Sequence, residues 1–424
     1  MDELKSFIKR RKNRIGILRW AARYLILFGF LFNINILPSI SSTNLCSVLA
    51  ICVMLTKPEK TKMIFRLYSK KNLAFFCFSM AFCLLLCFFN GIIYTHSNNV
   101  EVMRPIYIIG EILYVPIFAA YCLVEYEKIE DFAFVLLSLF MVQAIAVFLA
   151  VVDSNVRLYL YDHFYFGDDR FELTIEKGTR IMGIALSQST GSIKCSVAIA
   201  VLCVLKIKKS IKEWLYWLLC IIILLMTMFI GRTGLLVEII LIVFNSIKVD
   251  IKSYIYITVS LVLVLFGLQY LLAQIDPSVA EALQTWIFSA FDEEGTTGTL
   301  NGINKKLPDF SSELILGTNV LRGHLPYGGE VQSDSGYVKM VCSIGIIGAF
   351  IYYYSFYVIL YKGTLFTKSK FSKFVKLMVL LAFVIEYKEP YFKVGTFAWI
   401  ILTISLFILR ERVSLNHSLT YNKK

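Results

Sequence analysis

The sequence is poor in the residues that build soluble catalytic or metal-binding sites. Its 424 residues include only four histidines and eight prolines, and only 17% of them are charged. The ten cysteines all lie in apolar stretches and form no CxxC pair or Cys/His cluster, so the sequence indicates neither a disulfide framework nor a zinc site. It also contains no glycine-rich nucleotide-binding loop and no internal repeat, which argues against an ATP-driven enzyme and a solenoid.

Long apolar stretches are what the sequence has in abundance. Hydrophobic residues make up 58% of the chain, and the mean hydropathy is +0.69. They are gathered in blocks of about 17 to 22 residues, the length that a helix needs to cross a hydrocarbon core. Twelve blocks begin near Tyr24, Leu45, Leu73, Ile106, Phe132, Thr190, Trp214, Thr233, Tyr254, Gly336, Phe374 and Gly395. We therefore predict an all-α polytopic membrane protein with about 12 transmembrane helices, or about 11 to 13 because the second, eighth and eleventh blocks are short.

The distribution of charge predicts how the chain is oriented. A net charge of +13 and a pI near 9.1 would suit a nucleic-acid-binding protein. If the chain starts in the cytoplasm and crosses at every block, however, most of its 43 lysines and arginines fall in cytoplasmic segments, as the positive-inside rule requires. The basic excess is therefore explained by topology. We predict cytoplasmic N- and C-termini and no nucleic-acid partner.

Two long loops remain on the outer, periplasmic side, residues 153–188 and 273–334. Both are net acidic, yet they carry arginines, among them Arg157, Arg170 and Arg322. Arginines on an acidic outer surface run against the charge distribution of the rest of the chain, which favours an anion-binding role. Ion pairs with neighbouring acidic residues are the alternative.

Each outer loop has one further feature. The first reads "RLYLYDHFYFGDDRFEL", whose aromatic side chains suit either sugar rings or an aromatic belt at the membrane interface. In the second, residues 277–291 carry apolar side chains at helical spacing behind Asp276 and Pro277. An aspartate at the N-cap and a proline at the first helical position are typical helix starts, so we predict an amphipathic helix there.

Charged residues also lie at the outer ends of the predicted spans. In "GRTG", Arg232 precedes an apolar block, where the free N–H groups of a helix start favour an anion. The alternative is an arginine that only anchors a hairpin turn. In "KGTRIMGIALSQSTGSIKC", Arg180 precedes the sixth block and Lys194 lies inside it. A lysine within a membrane helix is a functional candidate, unless a partner such as Glu111 or Glu238 makes it structural.

A third stretch, "VQSDSGYVKM", opens the tenth block. Asp334 stands at its start, and Lys339 follows about a turn and a half further on. A carboxylate that faces an outer cavity is suited to accept a proton from a sugar hydroxyl. An aspartate at this position is equally suited to cap the helix.

These stretches resemble the Wzy-type O-antigen and capsular polysaccharide polymerases, which are related to the O-antigen ligases. The resemblance covers most of the chain in topology. Its specific motifs are Arg180 to Gly183, the "GRTG" turn, and "SDSGY…GIIG" from Ser333 to Gly348. The ligase branch typically carries a histidine where its equivalent of "SDSGY" begins. This chain has Asp334 there, which favours the polymerase.

The resemblance implies a glycosyltransferase of the bacterial inner membrane that joins undecaprenyl-diphosphate-linked oligosaccharide repeat units on the periplasmic face. It implies that Arg180 and Arg232 stabilise the departing diphosphate and that Asp334 accepts the proton, with His324 as second choice. The further substrate-binding candidates are Arg157, Arg170, Lys194, Arg322, His324, Tyr337 and Lys339. We expect no cofactor and no obligatory metal, membrane lipid as surroundings, and a chain-length regulator as a protein partner.

Three other functions stay open. An O-antigen ligase would use the same chemistry with lipid A core as the acceptor. A flippase for the same lipid-linked sugars would need charges near the middle of the membrane, and Lys194, Glu111, Glu238 and Glu386 keep that reading open. A scaffold subunit of a glycan-export complex would tolerate the replacement of all three catalytic candidates. The concentration of charge in two unequal outer loops counts against transport.

Overall fold

The computed structural model describes residues 2–37, 40–94, 99–164, 181–184, 189–246, 313–321, 323–325, 330–331, 333, 335–361, 370–388, 392 and 396–421, with a few isolated positions between 270 and 281. This part of the chain is helical, apart from two antiparallel two-stranded hairpins. The hairpins are β1 (Asn35–Leu37) with β2 (Ile40–Ser41), and β3 (Gly323–His324) with β4 (Glu330–Val331).

The helices follow the chain order in two groups. The first group is α1 (Asp2–Phe32), α2 (Ser42–Leu55), α3 (Pro58–Phe65), α4 (Lys70–Ile93), α5 (Asn99–Ile112), α6 (Tyr114–Glu125), α7 (Ile129–Val152) and α8 (Ser154–Phe164). The second group is α9 (Ser189–Ile207), α10 (Glu213–Ile230), α11 (Arg232–Ser246), α12 (Glu313–Leu316), α13 (Gly336–Leu360), α14 (Lys370–Glu386) and α15 (Thr396–Tyr421).

Among the described residues, five stretches are long and apolar enough to cross a membrane, and they identify a membrane protein. They are Lys70–Ile93, Pro105–Glu125, Ile129–Val152, Glu213–Ile230 and Gly336–Leu360. About half of each is buried inside the protein, and the remainder is exposed although it is apolar; on α4, for example, Phe78, Leu85 and Ile92 point outward. Outward-facing apolar side chains of this kind are covered by lipid rather than by water.

Helices occupy eleven of the twelve predicted blocks. The ninth block, near Tyr254, and almost all of the predicted helix at 277–291 lie outside the described residues. The three blocks that are short in the sequence are short helices as well, with 14, 15 and 17 residues in α2, α11 and α14. At about 1.5 Å per residue these helices are shorter than the roughly 30 Å hydrocarbon core. The number of spans therefore stays a prediction.

Aromatic side chains fill the centre of the bundle. Trp399 of α15 is fully buried, and its ring meets Phe30 of α1, Phe118 of α6 and Phe132 of α7 edge to face. Phe30 also stacks on Phe118, with ring centroids 3.5 Å apart. Four helices are thus joined around one indole, an arrangement that adds roughly 0.5–1.5 kcal/mol per aromatic pair to the area buried.

Lysines and arginines gather at one end of the bundle, which we call the basic face. There Glu125 ends α6 and pairs with Arg23 of α1 (2.5 Å) and with Lys57. The Arg410 guanidinium donates to the carbonyl of Tyr126, and the adjacent Glu411 pairs with Lys208 (2.5 Å). Because residues 410 and 411 join both clusters, the ends of α1, α6, α9 and α15 lie on the same face.

Helix α8 was not anticipated, since the aromatic stretch of the first outer loop was interpreted without secondary structure. Asp153, which ends α7, accepts a hydrogen bond from the Asn155 N–H through Oδ1 (2.8 Å). This is the bond that an N-cap aspartate makes to the second helical residue. The start of the aromatic stretch is therefore helical, and Tyr159 stacks on His163 one turn later, with ring centroids 3.9 Å apart.

Candidate functional site

The "GRTG" turn packs against the start of α9 with almost no space between the backbones. Helix α11 begins at Arg232, so that Thr233 lies within its first turn. The N–H of Gly234 donates to Ser192 Oγ (3.1 Å), and a Cβ at Gly234 would lie 2.0 Å from the Ser192 carbonyl oxygen. Only glycine permits this approach. The second glycine of the motif therefore has a packing role, and it fixes Arg232 beside the N-terminus of α9.

The residues that follow Arg180 are held at the same place. The Ile181 N–H donates to the carbonyl of Phe229 (3.0 Å), three residues before Arg232. Gln143 of α7 is fully buried and clamps the next turn, donating to the Met182 carbonyl (2.7 Å) and accepting from the Ile184 N–H (2.8 Å). We call the turn 181–184, Gln143, Ser192 and residues 229–234 the GRTG junction.

Replacing Gln143 by alanine is expected to lower the free energy of unfolding by about 2–4 kcal/mol, because two buried backbone groups lose their partners. Gln143→Glu keeps an acceptor for Ile184 and loses the donor to Met182, so its loss should be intermediate. Thermal unfolding in detergent checks this. Ser138→Ala on the exposed side of α7 is the control, since Ser138 Oγ bonds only within its own helix. Equal melting temperatures for Gln143→Ala and the control would contradict the clamp.

The buried charges of the neighbouring helices have separate partners. Lys194 lies on α9, two residues past Ser192, is only 4% exposed and interacts electrostatically with Glu111 of α5. Glu238 of α11 accepts a hydrogen bond from Thr227 Oγ1 of α10 (2.6 Å) instead. Of the two glutamates considered as partners of Lys194, Glu111 is thus the one whose charge acts on it. This electrostatic interaction favours a structural role for Lys194, and its role in substrate binding stays a prediction.

Helix α13 is broken at Gly345, and a segment from another part of the chain docks at the break. Gly345, in the predicted "GIIG" motif, has φ +76° inside the helix. The segment that follows α12 docks onto the carbonyls freed by this break, since the N–H groups of Thr318 and Asn319 donate to Cys342 (2.8 Å) and Ser343 (2.9 Å). Asn90 of α4 donates to Leu316 (2.8 Å). Irregular backbone at membrane depth persists only where protein satisfies it or where it lines a cavity.

The chain neighbours of Asp334 are buried at the N-terminal end of α13. Ser333 and Ser335 are 1% and 2% exposed, and the Ser335 N–H donates to Ser333 Oγ (3.2 Å). Helix α13 begins at Gly336, which puts Ser335 rather than Asp334 at the N-cap position, and the Ser335 side chain makes no capping bond. Asp334 itself lies outside the described residues, so both its capping role and its role as a base stay predictions.

Next to this helix start, tyrosines meet a buried glutamate. The Tyr337 hydroxyl donates to the Phe383 carbonyl of α14 (2.8 Å), and its ring lies 4.7 Å from that of Tyr353. Tyr353 in turn donates to Glu386 Oε1 (2.7 Å), whose Oε2 accepts from the Phe392 N–H (2.9 Å). Helix α14 also contacts α11, the helix that begins at the GRTG turn.

The remaining candidates are dispersed. Arg157 is buried in α8, while Arg232 and Lys339 are half-buried, and all three interact with other residues of the chain. His324 is exposed and lies opposite Glu330 in the backbone register of the second hairpin. Arg170, Arg180, Arg322 and Asp334 lie outside the described residues.

Two residues of this region, Gln143 and Asn90, belong to no sequence motif. Gln143 sits in an apolar helix like any isolated amide, and Asn90 does the same in α4. A buried amide in a membrane helix is costly unless it is bonded, which is the one clue that both offered. Within the described residues, no group of three or more His, Cys, Asp or Glu is arranged to hold a metal ion.

The fold and these contacts define a helical membrane protein with a tightly bonded junction, and with a helix, α13, that is broken at Gly345. Comparison of the chain with protein-family models, with curated proteins and with solved structures finds no match.

Proposed function

We propose that the chain is a polysaccharide polymerase of the bacterial inner membrane, with about 12 spans, both termini and the basic face in the cytoplasm, and the GRTG junction on the periplasmic side. It would transfer a growing glycan from undecaprenyl diphosphate to a sugar hydroxyl of the next lipid-linked repeat unit, making O-antigen or capsular polysaccharide.

One observation carries the proposal. The hydrogen bond from Ile181 to Phe229 ties the residue next to Arg180 to a point three residues from Arg232. The two arginines that the resemblance assigns to one diphosphate are about fifty residues apart in the chain, yet Ile181, which follows the first, is bonded to Phe229, which lies close to the second. Arginine pairs suit this ligand because each guanidinium can bind two phosphate oxygens at once.

The chemistry assigns a separate role to each group. A base, Asp334, takes the proton of the acceptor hydroxyl, and that oxygen bonds to the anomeric carbon of the donor sugar. The bond from this carbon to the diphosphate oxygen breaks, and the diphosphate leaves with the negative charge. Arg180 and Arg232 stabilise that charge, which prepositioned cations do without reorganising during the reaction.

Asp334→Asn is expected to reduce the polymerisation rate about 100-fold, because a positioned base contributes about that much or more. Asp334→Glu keeps the carboxylate and should retain more activity. Asp309→Asn, in the same outer loop, is the matched control and should behave like the wild type. Single-turnover assays on purified protein give the rates. A rate for Asp334→Asn within a factor of two of the wild type would assign the base to another residue, with His324 next in line.

The direct test uses purified protein with undecaprenyl-diphosphate-linked repeat units from its own host. The products are separated on a gel, and a ladder of repeat-unit multiples is expected. The same assay with lipid A core as acceptor distinguishes the ligase, which would add glycan to the core without a ladder. Unchanged repeat units, with substrate binding demonstrated, would contradict both enzymatic functions.

Transport of lipid-linked sugars is the second candidate, and the broken helix α13 favours it. Discontinuous helices and buried charges are typical of transporter binding sites, and this chain buries Lys194 and Glu238 besides breaking α13 at Gly345. Proteoliposomes with lipid-linked oligosaccharide in one leaflet separate the two functions. A transporter equilibrates the substrate between the leaflets, whereas a polymerase lengthens it and leaves its sidedness unchanged.

A further inference from the structure

A cavity opens on the basic face, away from the GRTG junction. Its volume is about 660 Å³, within the range usual for ligand sites. It lies between the start of the apolar part of α1, the turn that joins α2 to α3, and the connection from α6 to α7. Its lining is formed by Arg19, Trp20, Arg23, Lys57, Lys60, Glu125, Tyr126, Glu127, Asp131, Phe134 and Val135. We call it the basic-face pocket.

Inside the pocket, one carboxylate is already saturated. Glu125 is buried and paired with Arg23 and with Lys57, and Arg23 also lies over the Tyr126 ring at 5.6 Å. Removing Glu125 would leave two cations without their partner, so this core of the pocket is structural. Its two ion pairs share one carboxylate and carry a net charge of +1.

Two cations remain at the mouth. The Arg19 side chain is 55% exposed, and its only ion pair among the described residues is a long one to Glu125 (3.9 Å). Lys60 makes no hydrogen bond and no ion pair with the described residues. Partial burial lowers the pKa of Lys60. The nearby charges of Lys57 and Arg410 lower it further, whereas those of Glu127 and Glu125 raise it. An anion at the mouth would favour the charged form of Lys60.

The surroundings of the mouth are apolar. Trp20 is exposed and stacks on Tyr24 with ring centroids 5.3 Å apart, and Phe134, which also lines the pocket, is exposed. Tryptophan and tyrosine at the end of an apolar helix mark the level of the lipid headgroups. A ligand at the mouth therefore meets cations toward the protein and apolar side chains toward the membrane.

We propose that the basic-face pocket binds the phosphate of an anionic phospholipid headgroup, with Arg19 and Lys60 as its cationic ligands and the acyl chains against Phe134. The combination of phosphate and acyl chains matches both halves of the mouth, whereas a soluble phosphate matches only one. Basic pockets between transmembrane helices on the cytoplasmic side suit such headgroups. This site is independent of the proposed polymerase activity.

The test uses the purified full chain in detergent, titrated with phosphatidylglycerol or with phosphatidylcholine, with bound lipid counted by native mass spectrometry. Phosphatidylglycerol is expected to bind more tightly than phosphatidylcholine. The double variant Arg19→Gln/Lys60→Gln should weaken its binding about 25-fold, since each charge near the membrane surface contributes about fivefold. Lys62→Gln, exposed on the same helix and outside the pocket, is the matched control and should bind like the wild type.

Three results would overturn the assignment. They are unchanged phosphatidylglycerol binding in the double variant, equal loss in Lys62→Gln, and equal affinity of the wild type for phosphatidylcholine. A fourth arm adds inorganic phosphate at the lipid concentration. It is expected to leave lipid binding unchanged, and full displacement of the lipid would make the pocket a site for free phosphate instead. Arg19 and Lys62 are exposed, and Lys60 is half-buried without a hydrogen bond or ion pair to the described residues, so the melting temperature without lipid should stay that of the wild type.

Discussion

Arg232→Ala is expected to reduce glycan polymerisation about 100- to 1000-fold, the loss that follows removal of one prepositioned donor to a developing negative charge. Arg232 begins α11, and the contact of Gly234 with Ser192 holds its backbone in place. Substitution of the side chain leaves that packing intact, and because the side chain has contacts of its own, the protein level and the melting temperature are measured together with the activity. Arg232→Lys keeps the charge without the two-pronged geometry and should recover part of the activity.

The measurement is the length distribution of glycan in a polymerase-null host, followed by rates on the purified protein. Arg66→Ala on the basic face is the matched control, because it removes an exposed arginine of the same chain far from the GRTG turn. Full-length glycan from Arg232→Ala at a normal protein level would make Arg232 an anchor at the membrane surface. That result would contradict its role at the diphosphate.

The largest effect on stability is expected from Gly345→Ala. The residue has φ +76°, where a side chain costs about 1–3 kcal/mol. A Cβ there would also lie 2.3 Å from the carbonyl oxygen of Ile315 and 2.4 Å from the carbonyl carbon of Leu316, so the docked segment would have to move. Overpacking of this kind adds about 1–3 kcal/mol. We therefore expect unfolding to become easier by roughly 2–6 kcal/mol.

Two glycines of the same chain serve as controls in a thermal unfolding series. Gly348→Ala, in the same motif, would meet the side chains of Leu86 and Ile344, which can adjust, and it should cost less. Gly110→Ala has open space at its Cβ and should be close to neutral. If Gly345→Ala melted with Gly110→Ala, the break in α13 would not be a feature of the folded protein.

The apolar blocks predicted where helices lie because a membrane helix needs one uninterrupted apolar run, and such a run is visible without knowing its neighbours. Helix α7, for example, lies where the fifth block was marked. Helix α8 is a helix that the apolar blocks did not predict, because its aromatic stretch has no uninterrupted apolar run. Asp153 caps its start, and the residues "DSN" are a typical sequence signal for a helix N-terminus.

The candidate site was less predictable than the fold. The turns "GRTG" and "GIIG" were noticed as motifs, but the reason for their glycines lies in segments distant along the chain. Gly234 touches Ser192, and Gly345 touches Ile315. Spacing within one motif contains no information about a backbone that approaches from elsewhere. For the same reason the clamp by Gln143 emerged only from the structure.

The docking at the break in α13 also constrains the order in which the protein is assembled. The bond from Asn90 to Leu316 joins residues 226 positions apart, and the contacts of residues 318 and 319 reach forward to a helix that is synthesised after them. The bonds of residues 318 and 319 cannot form until α13 has been synthesised, whereas the bond from Asn90 to Leu316 needs only α4 and the docked segment. Closing loops of this length is slow relative to helix formation. The broken shape of α13 is therefore a late event in biogenesis, and a chain truncated before residue 336 would lack the carbonyl acceptors of residues 318 and 319.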